Sequence, residues 1–314
     1  MTITSSKVRV GLVRAKIALP CLISLVMTSN IYAATEAEPA TSLPTVVLTL
    51  PNQGPVPFLG VVNFDNIGGK GAPMMYPVPA GAGLAGFLVG VVTHGALTSA
   101  GRSSADTATR EKANEVLKPY KAALDKYNYP ELMHASIEKI RILGDIKLLN
   151  PNETNANANT QITALPTFSL TQDQRALVLE NVIEIRSKDK VPAYQNVVRV
   201  ISPLKPGENL VEYWGNDEAR NMKAEAARLY ASSLIVALND ANASYVGAKE
   251  QKTIRYMEGE VEKMERGTLL KEGCGQVLLR NLHGRLMYVP RKTSASDTAN
   301  CTSVAQAATP VSSN

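Results

Sequence analysis

Few side chains in this chain are suited by type and spacing to catalysis or metal binding. The sequence contains three histidines, His94, His134 and His283, and none has a histidine or cysteine partner at the spacing of metal ligands. Neither an H-E-x-x-H nor a G-x-S-x-G element occurs. We therefore predict no catalytic residues, no metal site and no cofactor from motifs.

Two weaker patterns resemble parts of enzyme sites but lack the residues that such sites require. Ser136 to Lys139 and Ser187 to Lys190 fit S-x-x-K, but the S-D-N and K-T-G elements that accompany it in penicillin-recognising enzymes are missing. Carboxylates are dense from Glu258 to Arg266, yet they alternate with basic residues, as in a solvated hairpin. Aromatic residues form only 5% of the chain, too few to predict a sugar-binding cleft. The sequence favours a non-enzymatic protein, with an exported hydrolase lacking a recognisable motif as the alternative.

The most distinctive segment is a glycine-rich apolar stretch without Asp, Glu, Lys or Arg between Gly71 and Gly101. It contains G-x-G-x-x-G from Gly81, but two prolines precede that motif where a dinucleotide site needs a parallel strand. Ala82, Gly86 and Gly90 stand four apart, which places three small residues on one stripe of a helix. We predict a helix there that packs closely against a second helix.

Residues 80–100 match the length of a membrane-spanning helix, about 20 residues. Glycine and hydroxyl residues dilute the segment, and its strongly apolar centre, 84–92, is short. The spacing resembles glycine-zipper segments of bacterial envelope proteins, and this resemblance implies contact with a membrane or a partner helix. Membrane contact and burial inside a soluble domain both remain open.

The N-terminus has the pattern of a secretory signal peptide. Four basic residues precede an apolar run from Ile17 to Met27, and the small residues Ala33 and Ala34 stand at the expected cut site, although Ile31 fits the site imperfectly. We expect cleavage after Ala33, with an uncleaved anchor as the alternative. Residues 1–33 carry four basic and no acidic side chains, so the remaining chain has 29 basic against 28 acidic residues. This balance predicts no nucleic-acid partner.

Cleavage would leave two cysteines, Cys274 and Cys301. An even count in an exported chain predicts a disulfide between them, closing a loop of about 27 residues and contributing roughly 3 kcal/mol. Two free thiols are the alternative. The bond would attach the C-terminal tail to the preceding sheet.

The fold predicted from periodicity is α+β. A mostly helical domain, 34–149, would hold the glycine-rich helix and a helical hairpin, and a polar linker, 150–161, would follow. An antiparallel sheet of about six strands, covered by one long helix that Asn216-Asp217-Glu218 caps, would occupy 162–290. The tail, 291–314, is rich in Ser, Thr and Ala, which predicts disorder.

Tyr213 and Trp214, just ahead of the long helix, are the best candidates for contact with a partner, the alternative being a hydrophobic plug beneath the helix. The overall expectation is an exported protein of the bacterial periplasm or outer membrane. It would bind or assemble with an envelope protein or with itself.

Export predicts a defined N-terminus. Mass spectrometry of the protein isolated from an envelope fraction should give a chain that starts at Ala34 or within a residue or two of it. An intact Met1 on protein recovered from the cytosol would contradict this prediction.

Overall fold

The computed structural model describes residues 45–49, 54–62, 104–141, 145–150, 153, 158–188, 190–245, 250–273 and 275–292. All of them belong to one of the two units into which the chain divides, Leu43–Asn314. The described residues do not include the glycine-rich segment with Ala82, Gly86 and Gly90, the predicted signal peptide, 1–33, or the two cysteines Cys274 and Cys301. Predictions about them therefore stay predictions.

The described residues form ten strands and four α-helices. The strands are β1 (Thr45–Thr49), β2 (Phe58–Gly60), β3 (Asp145–Leu149), β4 (Thr160–Leu170), β5 (Leu177–Ser187), β6 (Lys190–Ile201), β7 (Gln251–Glu258), β8 (Val261–Gly273), β9 (Gln276–Asn281) and β10 (Leu286–Pro290). The helices are α1 (Ser104–Asn114), α2 (Lys121–Leu124), α3 (Tyr129–Ile140) and α4 (Leu210–Ala241), with a 3-10 helix at Glu115–Tyr120 that contains Pro119.

The predicted combination of a sheet with one long covering helix is confirmed, but the sheet is larger than expected and mixed rather than antiparallel. Its strand order is β3-β1-β4-β5-β6-β10-β9-β8-β7, with β2 also pairing with β4. The parallel pairs are β1 with β3, β1 with β4, β2 with β4, and β6 with β10. The prediction of about six strands was wrong because strands from the N-terminal half join this sheet.

β4 contains Pro166, a residue type that is usually excluded from central strands. Its pairing pattern explains how the proline fits. β4 pairs with β5 along its whole length, whereas on its other side β1 pairs at 160–163 and β2 at 168–170. Pro166 lies between those two stretches, where neither β1 nor β2 needs a main-chain donor from β4.

The polar stretch 150–161, expected to link two domains, connects two strands of this one sheet. β3 ends at Leu149 and β4 begins at Thr160, and β1 pairs with both of them. The main core likewise contains Leu48 of β1, Leu132 of α3 and Leu229 of α4. The sheet and its core thus continue across the expected boundary.

The long helix α4 covers one face of the sheet and begins earlier than expected. The Asn209 side chain accepts a hydrogen bond from the Glu212 main-chain N–H at 3.3 Å and caps its N-terminus. Residues 216–219 interrupt the helix, with Asp217, Glu218 and Ala219 in left-handed conformation at φ between 50° and 61°. Asn216-Asp217-Glu218 therefore lies in a break between a short first segment of α4 and the long segment that follows Ala219, so the long segment begins close to the predicted position. Asn221 Nδ2 donates to the Tyr213 carbonyl at 2.7 Å and satisfies an acceptor that the break releases.

Small residues allow α3 and α4 to approach closely. Ser136 of α3 is fully buried, and its Oγ lies 2.6 Å from the Leu132 carbonyl oxygen and 3.2 Å from that of Ala227 in α4. The hydroxyl of this S-x-x-K serine therefore bonds the main chain at a helix contact.

A second core lies on the opposite face of the sheet. There, strands from the β7–β10 end of the sheet turn back and pack against β5 and β6. Tyr256 of β7 packs there with Val178 of β5 and with Met287 and Val289 of β10. An isolated bridge joins Tyr256 to Arg291, just after β10. Side chains from strands distant in the sheet order therefore share one apolar cluster.

A network of ion pairs, which we term the clasp, holds this turned-back part against the rest of the sheet. Arg199 of β6 pairs with Glu180 of β5 and Glu258 of β7, each at 2.6 Å. Burial lowers the pKa of Arg199, but the two carboxylates outweigh that effect and raise it, so the guanidinium stays charged. The Asp173 carboxylate accepts a hydrogen bond from the Glu260 main-chain N–H at 2.6 Å. This bond links the turn between β4 and β5 to the turn between β7 and β8.

The clasp predicts that replacing Arg199 destabilises the protein much more than replacing Arg255. Arg199→Gln should lower the free energy of unfolding by about 2–4 kcal/mol, because Glu258, 8% exposed, loses its partner. Arg255→Gln is the matched control, since Arg255 is 67% exposed in its pair with Glu262 and should cost less than about 1 kcal/mol. Urea denaturation of both variants measures the difference, and equal losses would contradict the role of the clasp.

Candidate functional site

A cavity of about 150 Å³ lies where the last turns of α4 pass over the far strands of the sheet. Its apolar walls include Ile235 and Val236 of α4 and Leu278 of β9. Gly273 and Lys271 of β8 lie on its exposed side. The remaining lining residues are Ser232, Asn239, Tyr245, Gln276 and Tyr288. The cavity thus combines apolar and polar lining residues, the usual composition of a binding pocket.

The cavity exists because the elements around it diverge. α4 packs in the main core through Ala226, Leu229 and Leu234, whereas β8 has a register irregularity against β9 between Leu269 and Lys271. An irregularity of this kind redirects the strand. After it, Gly273 contributes no side chain, and an added Cβ would meet no atom within 4 Å. The absence of a side chain at Gly273 keeps this side open.

Tyr245, one of the lining residues, remains a neutral hydrogen-bonding group. Burial raises the pKa of Tyr245, and the charge of Asp240 and the nearby Tyr288 add to that rise against a hydrogen bond with Asn239. Tyr245 therefore keeps its phenolic proton at ordinary pH and can donate or accept a hydrogen bond.

A polar cluster next to the cavity closes the C-terminal end of α4. Asp240, whose side chain is 6% exposed, is paired with Arg280 of β9 and accepts a hydrogen bond from the Tyr194 hydroxyl at 2.9 Å. Lys190 Nζ donates to the Ala241 carbonyl at 3.0 Å. The Asp240 carboxylate lies in the last turn of α4, where its interaction with the helix dipole is unfavourable. The positive charges of Arg280 and Lys190 compensate for that interaction.

These groups are suited to binding rather than to proton transfer or nucleophilic attack. The Asp240 carboxylate is already bonded to a cation and a hydroxyl, and the Ser232 hydroxyl donates to the Arg228 carbonyl at 2.9 Å. The two histidines in the described part of the chain, His134 and His283, are exposed on α3 and in the turn between β9 and β10, away from the cavity lining. Within the same residues no group of three or more His, Cys, Asp or Glu side chains is arranged to hold a metal ion.

Tyr213 and Trp214 lie at the other end of α4. Trp214 is fully buried, its Nε1 donates to the Gln174 carbonyl at 2.6 Å, and Lys205 Nζ lies 5.8 Å from its ring centre. Tyr213 contacts the Trp214 ring edge-on and is 39% exposed. Trp214 therefore has the position of a plug beneath the helix, and only Tyr213 presents surface to a partner.

The residues around the cavity were missed by sequence reasoning. The sequence predicted a long helix here, but nothing in it brought Tyr245, Lys271 and Tyr288 together. One weak signal was available, because Tyr245 is a large aromatic residue that follows directly on the small polar residues ending α4. Its environment depends on β9 and β10, which lie more than 25 residues further along.

The two glycines of β8 provide a stability test of the open wall. At Gly267 an added Cβ would lie 2.4 Å from the Arg280 carbonyl oxygen, so Gly267→Ala should lower the free energy of unfolding by about 2 kcal/mol. Gly273→Ala should change it by less than about 0.5 kcal/mol, because the space is empty. Thermal unfolding of the two variants measures this difference; a costly Gly273→Ala would mean that the wall is closed.

The chain was compared with family models, curated proteins and solved structures. No family model, no curated protein and no solved structure matches it. Among the described residues, no helix is both long and apolar enough to cross a bilayer. The site's own geometry therefore carries the functional argument.

Proposed function

We propose that this protein is an exported, non-enzymatic binding or assembly protein of the bacterial cell envelope, and that its cavity holds an apolar side chain of a partner polypeptide. The observation that carries the proposal is the cavity of about 150 Å³ at the end of α4, which is lined by both apolar and hydrogen-bonding side chains. The signal-like N-terminus supports the exported location.

The size of the cavity favours a single side chain as its occupant. Pockets for drug-sized molecules usually measure about 300–1,000 Å³. A cavity of about 150 Å³ holds a group of the size of benzene. A leucine, valine or phenylalanine side chain has the matching size, and burying one contributes about 1.5–3 kcal/mol.

The polar lining residues support a polypeptide rather than a free hydrocarbon as the occupant. Asn239 and Gln276 offer amide donors and acceptors, and Tyr245 offers a neutral hydroxyl. A partner main chain presents the complementary groups on each side of an anchoring side chain. Lys271 adds a positive charge on the exposed side. The occupant we propose is therefore an anchoring apolar residue in a polar or acidic segment.

Photo-crosslinking in the producing cells tests this function. A benzophenone amino acid in place of Lys271 should give a covalent product with one envelope polypeptide. The matched control carries the same group in place of Met264 on the same strand, which is 62% exposed and outside the cavity lining. Gly273→Leu, which fills the cavity mouth, should reduce the Lys271 product at least tenfold. Identical products from both positions, unaffected by Gly273→Leu, would contradict the proposal.

A further inference from the structure

We infer that the residue entering this cavity is the C-terminal residue of the partner polypeptide. Its apolar side chain fills the cavity, and its free carboxylate accepts hydrogen bonds from Lys271, Gln276 and Tyr245. This inference rests on the proposed function and deepens it, because it states which residue of the partner anchors in the cavity at the end of α4.

Lys271 is a cation without a partner at the edge of the cavity. Its side chain is exposed, and within the described part of the chain it forms neither an ion pair nor a hydrogen bond. Carboxylates of the same region are already paired, Asp240 with Arg280 and Glu272 with Arg291. The described residues that line the cavity include no Asp or Glu. The site therefore offers a positive charge to an anionic ligand, and no lining carboxylate repels that ligand.

Gln276 and Tyr245 add two hydrogen-bond donors to that charge. The Gln276 side chain lines the cavity and forms no hydrogen bond with any described residue, which leaves its amide N–H groups available. Burial raises the pKa of Tyr245, and a hydrogen bond with Asn239 opposes the rise. Because a bond that opposes this rise stabilises the phenolate, Asn239 is its donor. The Tyr245 hydroxyl therefore keeps its own proton for a further acceptor.

These three donors favour a carboxylate over a peptide carbonyl. An ionised carboxylate is a pure acceptor with about four lone-pair sites, whereas a carbonyl oxygen has about two. Hydrogen bonds to an ionised group are roughly twice as strong as those between neutral groups. The side-chain carbonyl oxygen of Asn239 remains for the main-chain N–H of the bound residue, since its amide nitrogen donates to Tyr245.

The small size of the cavity places the carboxylate and the apolar side chain on the same residue. Lys271, Gln276 and Tyr245 line the same space of about 150 Å³ as Ile235 and Leu278. In an extended polypeptide, neighbouring side chains point to opposite faces, and the next one on the same face follows about 6.5 Å further along. An internal Asp or Glu next to an apolar anchor would therefore point away from these donors. A C-terminal residue carries both groups on one Cα, so both enter together.

Peptide titration of the mature chain tests this arrangement, with the methyl signals of Ile235 and Leu278 as the measure of cavity occupancy. The probes are Ser-Gly-Ser-Gly-Leu with a free C-terminal carboxylate, the same peptide as a C-terminal amide, and Ser-Gly-Leu-Gly-Ser amide. At pH 7 the free acid should bind at least tenfold more tightly than either amide. The acid in which serine replaces the final leucine should bind at least tenfold more weakly than the leucine acid, because it leaves the cavity unfilled.

Two exposed cations of β8 separate recognition of the carboxylate from an effect of net charge. Lys271→Gln should reduce the ratio between acid and amide affinity to less than threefold and leave the affinity for the leucine amide unchanged. Arg266→Gln is the matched control, because Arg266 is exposed on the same strand and lies outside the cavity lining. It removes the same charge and should leave the ratio at tenfold or more.

A comparison of two small acids separates a polypeptide end from a free carboxylic acid. 4-Methylpentanoate has the side chain and the carboxylate of leucine but no N–H group for Asn239. It should bind at least fivefold more weakly than N-acetylleucine, which has that group.

The possible failures differ in what they say about the proposed function. If acid and amide bind equally, or Lys271→Gln and Arg266→Gln have the same effect, the carboxylate is not recognised, while the cavity still holds a partner side chain. If 4-methylpentanoate binds as tightly as N-acetylleucine, the ligand is a free carboxylic acid rather than a polypeptide end. If none of the leucine peptides shifts the Ile235 and Leu278 signals, the cavity accepts no partner side chain, and the proposed function fails with the inference.

Discussion

The constraint on which the structure depends is that one sheet must bury both of its faces. The main core lies beneath α3 and α4, and the second core lies on the opposite face of the same strands. Val178 of β5 belongs to the second core and its neighbour Leu179 to the first. Such a sheet needs a cover on each side. Helices provide one cover, and the turned-back strands β7–β10 provide the other.

The clasp determines how that second cover closes. Arg199 joins three strands, and its two carboxylate partners lie on strands that do not pair with each other. Ion pairs of this kind add less net stability than apolar contacts, but an unpaired member is costly. The charges therefore favour one position of β7 over others, while the apolar residues around Tyr256 provide the attraction.

The cavity follows from the same geometry at the other end of α4. The helix packs against the central strands β5 and β6, and β8 changes register against β9 beyond Leu269. The space between them is lined by side chains from α4, β8, β9 and β10. Polar groups at the helix end, centred on Asp240, are satisfied among themselves. What remains available is apolar surface, neutral hydrogen-bonding groups and the positive charge of Lys271, and the proposed recognition of a polypeptide rests on that combination.

The sequence alone determined those features that depend on local periodicity and local punctuation. The strand β5 from alternating Leu177, Leu179, Ile183 and Ile185, the helix after Asn128, and the exposed turn at His283 all follow from the nearest neighbours in the chain. The lack of a recognisable catalytic motif was also visible there. These features need no contact with a distant residue.

Tertiary structure alone decided how the pieces combine. The parallel pairing of β1 with β3 and β4 joins residues about 100 positions apart, and no local pattern encodes such a partner. Pro166 is acceptable in β4 only because it lies between the stretches of β4 that pair with β1 and with β2. The break at 216–219 in α4 accompanies the burial of Trp214. The cavity brings together Ile235, Lys271 and Tyr288. Its shape depends on where a helix and a strand separate, and that is a property of their packing rather than of either segment.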